Sequence, residues 1–195
     1  MKSAEIENMI KHETIRPWVE ESREEVYGTG LVFLRKINVV NPKGGKTSRI
    51  RLSLGTNTAL IIPETEDGKF VMCQQYKVGV PVPIIEFPNG GVKIEEDPLE
   101  SARRELSEEL NLTGDFEYIG SFYPLPTVVK LKVDVFTCKN LKKSVLPSDD
   151  YEAINGMILS RSEIDDLIRK GKIFDAYTLS SLQLYDVDSK FNKHW

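Results

Sequence analysis

Three glutamates, Glu105, Glu108 and Glu109, lie within five residues of one another in the stretch EDPLESARRELSEELNL. On an α-helix, positions i, i+3 and i+4 share a face, so the three carboxylates would lie side by side. Like charges at this spacing repel each other by a few tenths of a kcal/mol per pair, roughly. A divalent cation removes that repulsion, and Mg²⁺ binds carboxylate oxygens while leaving coordination sites for water and phosphate. The alternative is a solvated acidic face neutralised by Arg103 and Arg104.

The residues around the glutamates predict where their helix begins and ends. Asp97 and Pro98 are typical of a helix start, and Glu100 is placed to complete a capping box. Apolar residues recur at spacings of three and four, which predicts one buried stripe: Leu99, Ala102, Leu106 and Leu110. Asn111 follows at the position where a left-handed residue ends a helix. We therefore expect a helix from about residue 98 to residue 110.

The spacing Gly90-x5-Glu96-x7-Arg104-Glu105-Leu106-x-Glu108-Glu109-x-Asn111-Leu112 resembles the Nudix box, the signature of hydrolases that act on nucleoside diphosphates linked to another moiety. One position departs, because Asn111 stands where the family has Gly. Asn tolerates the left-handed backbone better than most residues, so this departure affects the turn and leaves the chemistry intact.

The resemblance implies a metal site and a support for it. The implied ligands of Mg²⁺, or of Mn²⁺ in its place, are Glu105, Glu108, Glu109 and the backbone carbonyl of Asn89, and Glu108 is also a candidate catalytic residue. Gly90, Glu96 and Arg104 are the structural positions of the box. An arginine held between loop and helix carboxylates would fix the shape of the loop through charge-assisted hydrogen bonds.

The resemblance extends beyond the box, over about residues 57 to 187. Gln75-Tyr76-Lys77 is similar to the Gln-Tyr-Arg of ADP-ribose and nucleotide-sugar pyrophosphatases, and Glu86-Phe87-Pro88-Asn89-Gly90 is similar to their Glu-Leu-Pro-Ala-Gly. This implies that Gln75, Lys77 and Glu86 contribute to substrate binding. Two positions depart from that subgroup: Lys77 replaces an arginine, and Pro126-Thr127 stands where Pro-Gly is usual.

Other candidate residues allow two interpretations each. Arg51, like Arg49, could contact phosphate or could lie on the solvent face of an alternating strand. Trp18 could stack on a nucleobase or simply pack against the protein. Asp150 and Glu152, in the loop LPSDDYEAI, stand where the resemblance implies the general base, and the alternative is a solvated acidic loop.

The order of the elements predicts an α+β protein with the Nudix fold, a mixed β-sheet sandwiched between helices. Residues 3–25 look helical or irregular, and two β-runs around Pro-Lys-Gly-Gly follow as an antiparallel extension. After the acidic helix come further strands and two closing helices, without regular βαβ alternation. We expect an N-terminal segment at 1–56, suited to dimerisation, and a Nudix domain at 57–195.

Composition excludes several classes of function. The 195 residues carry a formal charge of −4 with acids and bases mixed, so there is no basic stripe for a nucleic acid. No run approaches the roughly 18 apolar residues of a membrane span, and the N-terminus lacks the apolar core of a signal peptide. Cys73 and Cys138 lie in apolar runs and are expected to be buried thiols. These features favour a cytoplasmic protein without membrane partners.

The expected function is Mg²⁺-dependent hydrolysis of a nucleoside diphosphate linked to a sugar, ADP-ribose or a nucleotide sugar. One alternative is hydrolysis of nucleoside triphosphates or dinucleoside polyphosphates. Another is a Nudix module that senses a nucleotide without cleaving it. The presence of all three glutamates argues against the sensor, because a site that has lost catalysis gains nothing from carboxylates that repel one another. The resemblance also implies a homodimer.

Overall fold

A computed structural model describes residues 3–7, 14–145 and 153–191, and the chain divides between residues 52 and 53 into two compact units. The helices are α1 (Ser3–Glu7), α2 (Pro98–Leu110), α3 (Arg161–Arg169) and α4 (Ala176–Phe191). The strands are β1 (Val19–Thr29), β2 (Val32–Val40), β3 (Lys46–Ser53), β4 (Thr58–Pro63), β5 (Phe70–Tyr76), β6 (Pro83–Glu86), β7 (Asn89–Gly91), β8 (Leu112–Phe122), β9 (Val129–Lys130), β10 (Val133–Lys143) and β11 (Asn155–Leu159).

The first unit is an antiparallel sheet in the order β1-β2-β3. The predicted β-runs are confirmed as β2 and β3, but the helical or irregular interpretation of residues 3–25 is wrong from Val19 onward. There the chain forms β1, whose polar side chains bond across to β2: Asn38 donates to Ser22 Oγ at 2.9 Å, and Arg35 pairs with Glu25 at 3.2 Å. A strand stabilised by polar cross-strand pairs carries no apolar alternation that could reveal it in the sequence.

The second unit holds two sheets. A mixed sheet has the order β7-β4-β10-β8, with β4 and β10 parallel and the outer pairs antiparallel. An antiparallel sheet has the order β11-β5-β6. Every residue of β4 is buried, as expected for a strand whose two faces are both covered. The predicted α+β fold, with a mixed sheet between helices and antiparallel strands at the N-terminus, is confirmed.

Helix α2 covers one side of the core of the second unit. Its predicted stripe is confirmed, because Ala102 and Leu106 are fully buried and the other two members pack against them. Asp97 caps the helix by accepting from the backbone N–H of Leu99 at 2.8 Å, whereas Glu100 pairs with Arg103 at 3.4 Å rather than completing a capping box. Asn111 ends the helix with φ 55°, which is the predicted left-handed turn.

The two cysteines are buried free thiols, as predicted. Within residues 3–7, 14–145 and 153–191, no helix is long and apolar enough to cross a membrane.

Candidate active site

The Glu105 carboxylate on α2 lies directly over Gly90 of β7. A Cβ added to Gly90 would come 2.1 Å from Glu105 Cδ and 2.2 and 2.3 Å from its two oxygens. Strand β7 pairs with β4 at Ala59↔Gly90, which holds this backbone in place beneath the helix. Glycine is therefore required here for the close approach of a carboxylate to the main chain.

Arg104 of α2 forms hydrogen bonds to Gly91 and to Glu96 in the loop before the helix. Its guanidinium donates to both oxygens of Glu96, at 3.0 and 3.1 Å, and to the backbone oxygen of Gly91 at 2.9 Å. It also donates to Glu105 at 2.6 Å and to Glu108 at 2.9 Å. The hydrogen bond from Arg104 lowers the pKa of Glu96. The arrangement is the one expected for a structural arginine in the box.

Glu109 on α2 is partly buried. Burial raises the pKa of its carboxyl to about 8, and the nearby negative charge of Glu105 adds to that effect while Lys77 opposes it. The pKa of Glu105 is also raised, mainly by burial, against the opposing effect of Arg104. The charge of Glu105 thus contributes to the raised pKa of Glu109, which lies one turn further along the same helix.

Cys73, Gln75 and Lys77 lie at alternate positions of the chain and contact the carboxylates of Glu109 and Glu86. The Cys73 thiol lies 3.5 Å from Glu109 Oε2, Gln75 Nε2 donates to Glu86 Oε1 at 3.0 Å, and Lys77 Nζ lies 3.3 Å from the same Glu86 oxygen. Burial raises the pKa of Glu86, and Lys77 opposes the rise. Cys73 and Gln75 are two positions apart on β5 and therefore share a face of the strand, and Lys77 follows directly after the strand ends at Tyr76.

The donor groups suit a hard divalent cation. Carboxylate oxygens and a backbone carbonyl are the ligands that Mg²⁺ prefers, and a bound cation would offset the cost of burying Glu105 and Glu109. In the arrangement described, Arg104 holds Glu105 and Glu108. Among the residues that the structure describes, no three acidic, His or Cys side chains already form a metal-binding group. The residues present therefore fit the cation by chemistry and burial.

Of the other predicted residues, two belong to the first unit and two lie outside the residues that the structure describes. Trp18 and Arg51 belong to the first unit, where Arg49 stacks over the Trp18 ring at 5.4 Å and Arg51 pairs with Glu20 at 3.1 Å. Asp150 and Glu152 lie outside the described residues.

Sequence reasoning treated Cys73 only as a small buried residue and missed its contact with Glu109. The signal was the alternation of positions 73 and 75, which places Cys73 on the same face of β5 as Gln75, a residue already selected. Burial, with the charge of Glu109, raises the pKa of this thiol. Cys73 is therefore a neutral neighbour of Glu109.

Comparison with known proteins gives consistent matches. The NUDIX domain family model matches residues 55–179. The chain is 26% identical to the methanol dehydrogenase activator of Bacillus methanolicus, covering 82% of this chain and 88% of that protein. It is also 26% identical to the ADP-ribose pyrophosphatase of Bacillus subtilis (strain 168), covering 83% and 89%. A crystal structure of an ADP compounds hydrolase superposes with TM-score 0.81 at 19% identity, covering 93% of this chain and 98% of that chain.

Proposed function

The chain belongs to the Nudix hydrolases, and we propose that it hydrolyses the pyrophosphate of a nucleoside diphosphate linked to a sugar, giving a nucleoside monophosphate and a sugar phosphate. The observation that carries this proposal is the Glu105 carboxylate held against Gly90, one turn before the partly buried Glu109 on the same helix. Burying two interacting carboxyls destabilises a protein unless a cation or a proton compensates. A site for a divalent cation explains why the fold retains them.

Glu105, Glu108, Glu109 and the carbonyl of Asn89 would hold Mg²⁺. When bound, Mg²⁺ neutralises the pyrophosphate oxygens, stabilises the leaving phosphate and acidifies water. Arg104 and Glu96 hold the loop against α2, so the Asn89 backbone and the helix carboxylates keep a fixed spacing. Asp150 or Glu152 is proposed as the base that takes the proton from the attacking water.

Lys77 supports a phosphate-containing substrate. Its ammonium pairs with the buried Glu86, yet its side chain keeps 38% of its surface exposed, so it can also reach a substrate oxygen. A lysine interacts with phosphate as a point charge, whereas an arginine would form a bidentate pair of hydrogen bonds. The ADP-ribose pyrophosphatase among the relatives supports the sugar-linked class. Sequence identity does not favour one of the two relatives over the other as a guide to the substrate, because it is 26% for each.

The first unit is proposed to join two copies of the chain. It exposes large apolar side chains along its sheet, among them Val19, Val26, Tyr27 and Ile50. Removing these side chains from water favours the association of two copies. In such a homodimer Trp18 and Arg51 are proposed to contact the substrate.

The test is a substrate panel with Mg²⁺: ADP-ribose, nucleotide sugars, nucleoside triphosphates and dinucleoside polyphosphates, with products separated by anion-exchange chromatography. We expect a nucleoside monophosphate from the sugar-linked substrates, loss of activity in EDTA, and recovery with Mg²⁺ or Mn²⁺. Faster cleavage of triphosphates or dinucleoside polyphosphates would replace this substrate class. Nucleotide binding without cleavage of any panel member would identify a sensor instead.

A further inference from the structure

The Glu86 carboxylate is held by donors from two directions. Gln75 Nε2 and Lys77 Nζ approach Oε1 at 3.0 and 3.3 Å, and Asn89 Nδ2 donates to Oε2 at 3.0 Å. Only 3% of Glu86 is exposed. A buried carboxylate is tolerated when hydrogen bonds and a cation compensate for its lost hydration, and this one has both. Both oxygens of Glu86 are thus occupied by groups of the protein itself.

The Asn89 amide links Glu86 to the backbone that borders the site. Besides Glu86, Nδ2 donates to the backbone oxygen of Phe87 at 2.8 Å, so one amide closes the turn from residue 86 to residue 89. The main chain at Asn89 pairs with Leu60 of β4. The subgroup motif that this stretch resembles has alanine at the position of Asn89, and alanine has no amide with which to make either bond.

The next residue completes the connection to α2. Gly90 carries the Glu105 carboxylate directly on its backbone, where even a methyl group would collide with it. A small rotation of the peptide between Asn89 and Gly90 would therefore move the Asn89 carbonyl and the surface against which Glu105 rests. The position of a metal ligand, and with it the affinity for the metal, depends on the neighbouring groups that orient the ligand.

We propose that Glu86 is a positioning residue that acts through the Asn89 amide to fix the Asn89 carbonyl and Gly90 against Glu105. Gln75 and Lys77 hold Glu86, and Glu86 holds Asn89. This inference rests on the proposed function, because it takes the Asn89 carbonyl and Glu105 as metal ligands. It assigns Glu86 a role in orienting the metal site, in place of the direct substrate contact that the sequence suggested.

The test measures Mn²⁺ binding without substrate, by the electron paramagnetic resonance signal of free Mn²⁺, in Glu86→Gln, Asn89→Ala and the double variant. Each single change should raise the Kd for Mn²⁺ roughly tenfold, the scale typical of partners that orient metal ligands. The double variant should bind no worse than about the weaker single variant, because both changes cut the same link.

Two control variants remove comparable hydrogen bonds away from this network. Glu64→Gln alters a glutamate that accepts from Tyr185 at 2.9 Å, and Asn57→Ala removes an acceptor for the backbone N–H of Lys132. Both should leave Mn²⁺ affinity unchanged. Thermal unfolding of every variant reports whether it is folded, and Asn89→Ala decides the matter alone if Glu86→Gln does not fold.

Unchanged Mn²⁺ affinity in a folded Asn89→Ala variant overturns the inference and leaves the proposed function standing. So does a Glu86→Gln variant whose KM for substrate rises while its Mn²⁺ affinity is normal, because that pattern marks a direct substrate contact. A wild-type protein that binds no Mn²⁺ and cleaves no panel substrate overturns the proposed function, and the inference with it.

Discussion

The Glu105 carboxylate rests on the backbone of Gly90, so closely that a Cβ at residue 90 would lie 2.1 Å from Glu105 Cδ. This contact joins β7, which supplies a candidate carbonyl ligand, to α2, which supplies the candidate carboxylate ligands. The neighbouring Gly91 differs, because a Cβ there would meet only Thr56 Oγ1, at 3.2 Å. The two glycines therefore form a matched pair for substitution.

Gly90→Ala should lower turnover at least about a hundredfold, because the methyl group displaces a ligand carboxylate whose charge the metal requires. Gly91→Ala should leave turnover within about threefold of wild type, since the Thr56 hydroxyl can move aside. Steady-state kinetics on the best panel substrate at saturating Mg²⁺, with circular dichroism to monitor folding, compares the two. An equal loss of turnover from both substitutions would show that the contact between Gly90 and Glu105 is not required for catalysis.

The sequence predicted helix α2 better than it predicted the first unit. Helix α2 carries a cap, an apolar stripe and a left-handed end in a single run, and its bounds were correct because all these signals are local. Strand β1 was missed because its stabilising partners lie on β2, up to 21 residues away at Val19↔Val40. The Gly90–Glu105 contact was equally hidden, since it joins residues that meet only in the folded chain.

Glu109→Gln should leave the fold intact and lower turnover at least about a hundredfold, because a neutral amide is a poor substitute for an anionic metal ligand. Glu100→Gln, on the exposed side of the same helix where Glu100 pairs with Arg103, is the matched control and should retain turnover. Activity is measured across a Mg²⁺ titration for both variants. Near-normal turnover of Glu109→Gln at saturating Mg²⁺ would remove Glu109 from the metal site.

Glu96→Gln should destabilise the protein by on the order of 1 kcal/mol at pH 7, through loss of its charge-assisted bonds to Arg104. The pKa of Glu96 is lowered in the folded state, mainly by the hydrogen bond from Arg104. Its contribution to stability is therefore present above the unfolded pKa, near 4.5, and is lost as pH falls through the folded value. Urea unfolding at pH 7 and at pH 3.5 should show the difference between wild type and variant shrinking on acidification. A difference that grows on acidification would contradict this account.

Deletion of residues 1–52 should disrupt dimerisation and weaken substrate affinity. The intact chain should elute near twice 22.2 kDa, because pairing covers the apolar side chains of the first unit. Light scattering gives the mass, and KM gives the affinity. Tyr27→Asp in the full chain, at a tyrosine that is 61% exposed, tests the same surface without removing the unit. A truncated monomer with wild-type kcat and KM would refute the proposed role of this unit.

Asp150 and Glu152 remain the predicted positions of the general base, in a segment outside the described residues. The chain re-enters the described structure just before β11, whose first residue, Asn155, pairs with Gln74 of β5. Gln74 lies between Cys73 and Gln75, which face the site carboxylates. Since an extended chain advances roughly 3.3 Å per residue, Glu152 is at most about 10 Å of chain from Asn155 and Asp150 about 17 Å.

That length of chain is sufficient for either side chain to reach the site, so both are kept as candidates. Side chains two positions apart share a face wherever a segment is extended. Neutralising the base should lower turnover roughly 10²- to 10⁴-fold while leaving metal binding nearly unchanged, because the base takes a proton from water and need not bind the metal. We would compare Asp150→Asn with Glu152→Gln at saturating substrate and Mg²⁺, and measure Mn²⁺ affinity in parallel. Aspartate is one carbon shorter than glutamate, so a loss confined to Glu152→Gln would place the base at the longer side chain. Turnover within threefold of wild type in both variants would show that the base lies elsewhere.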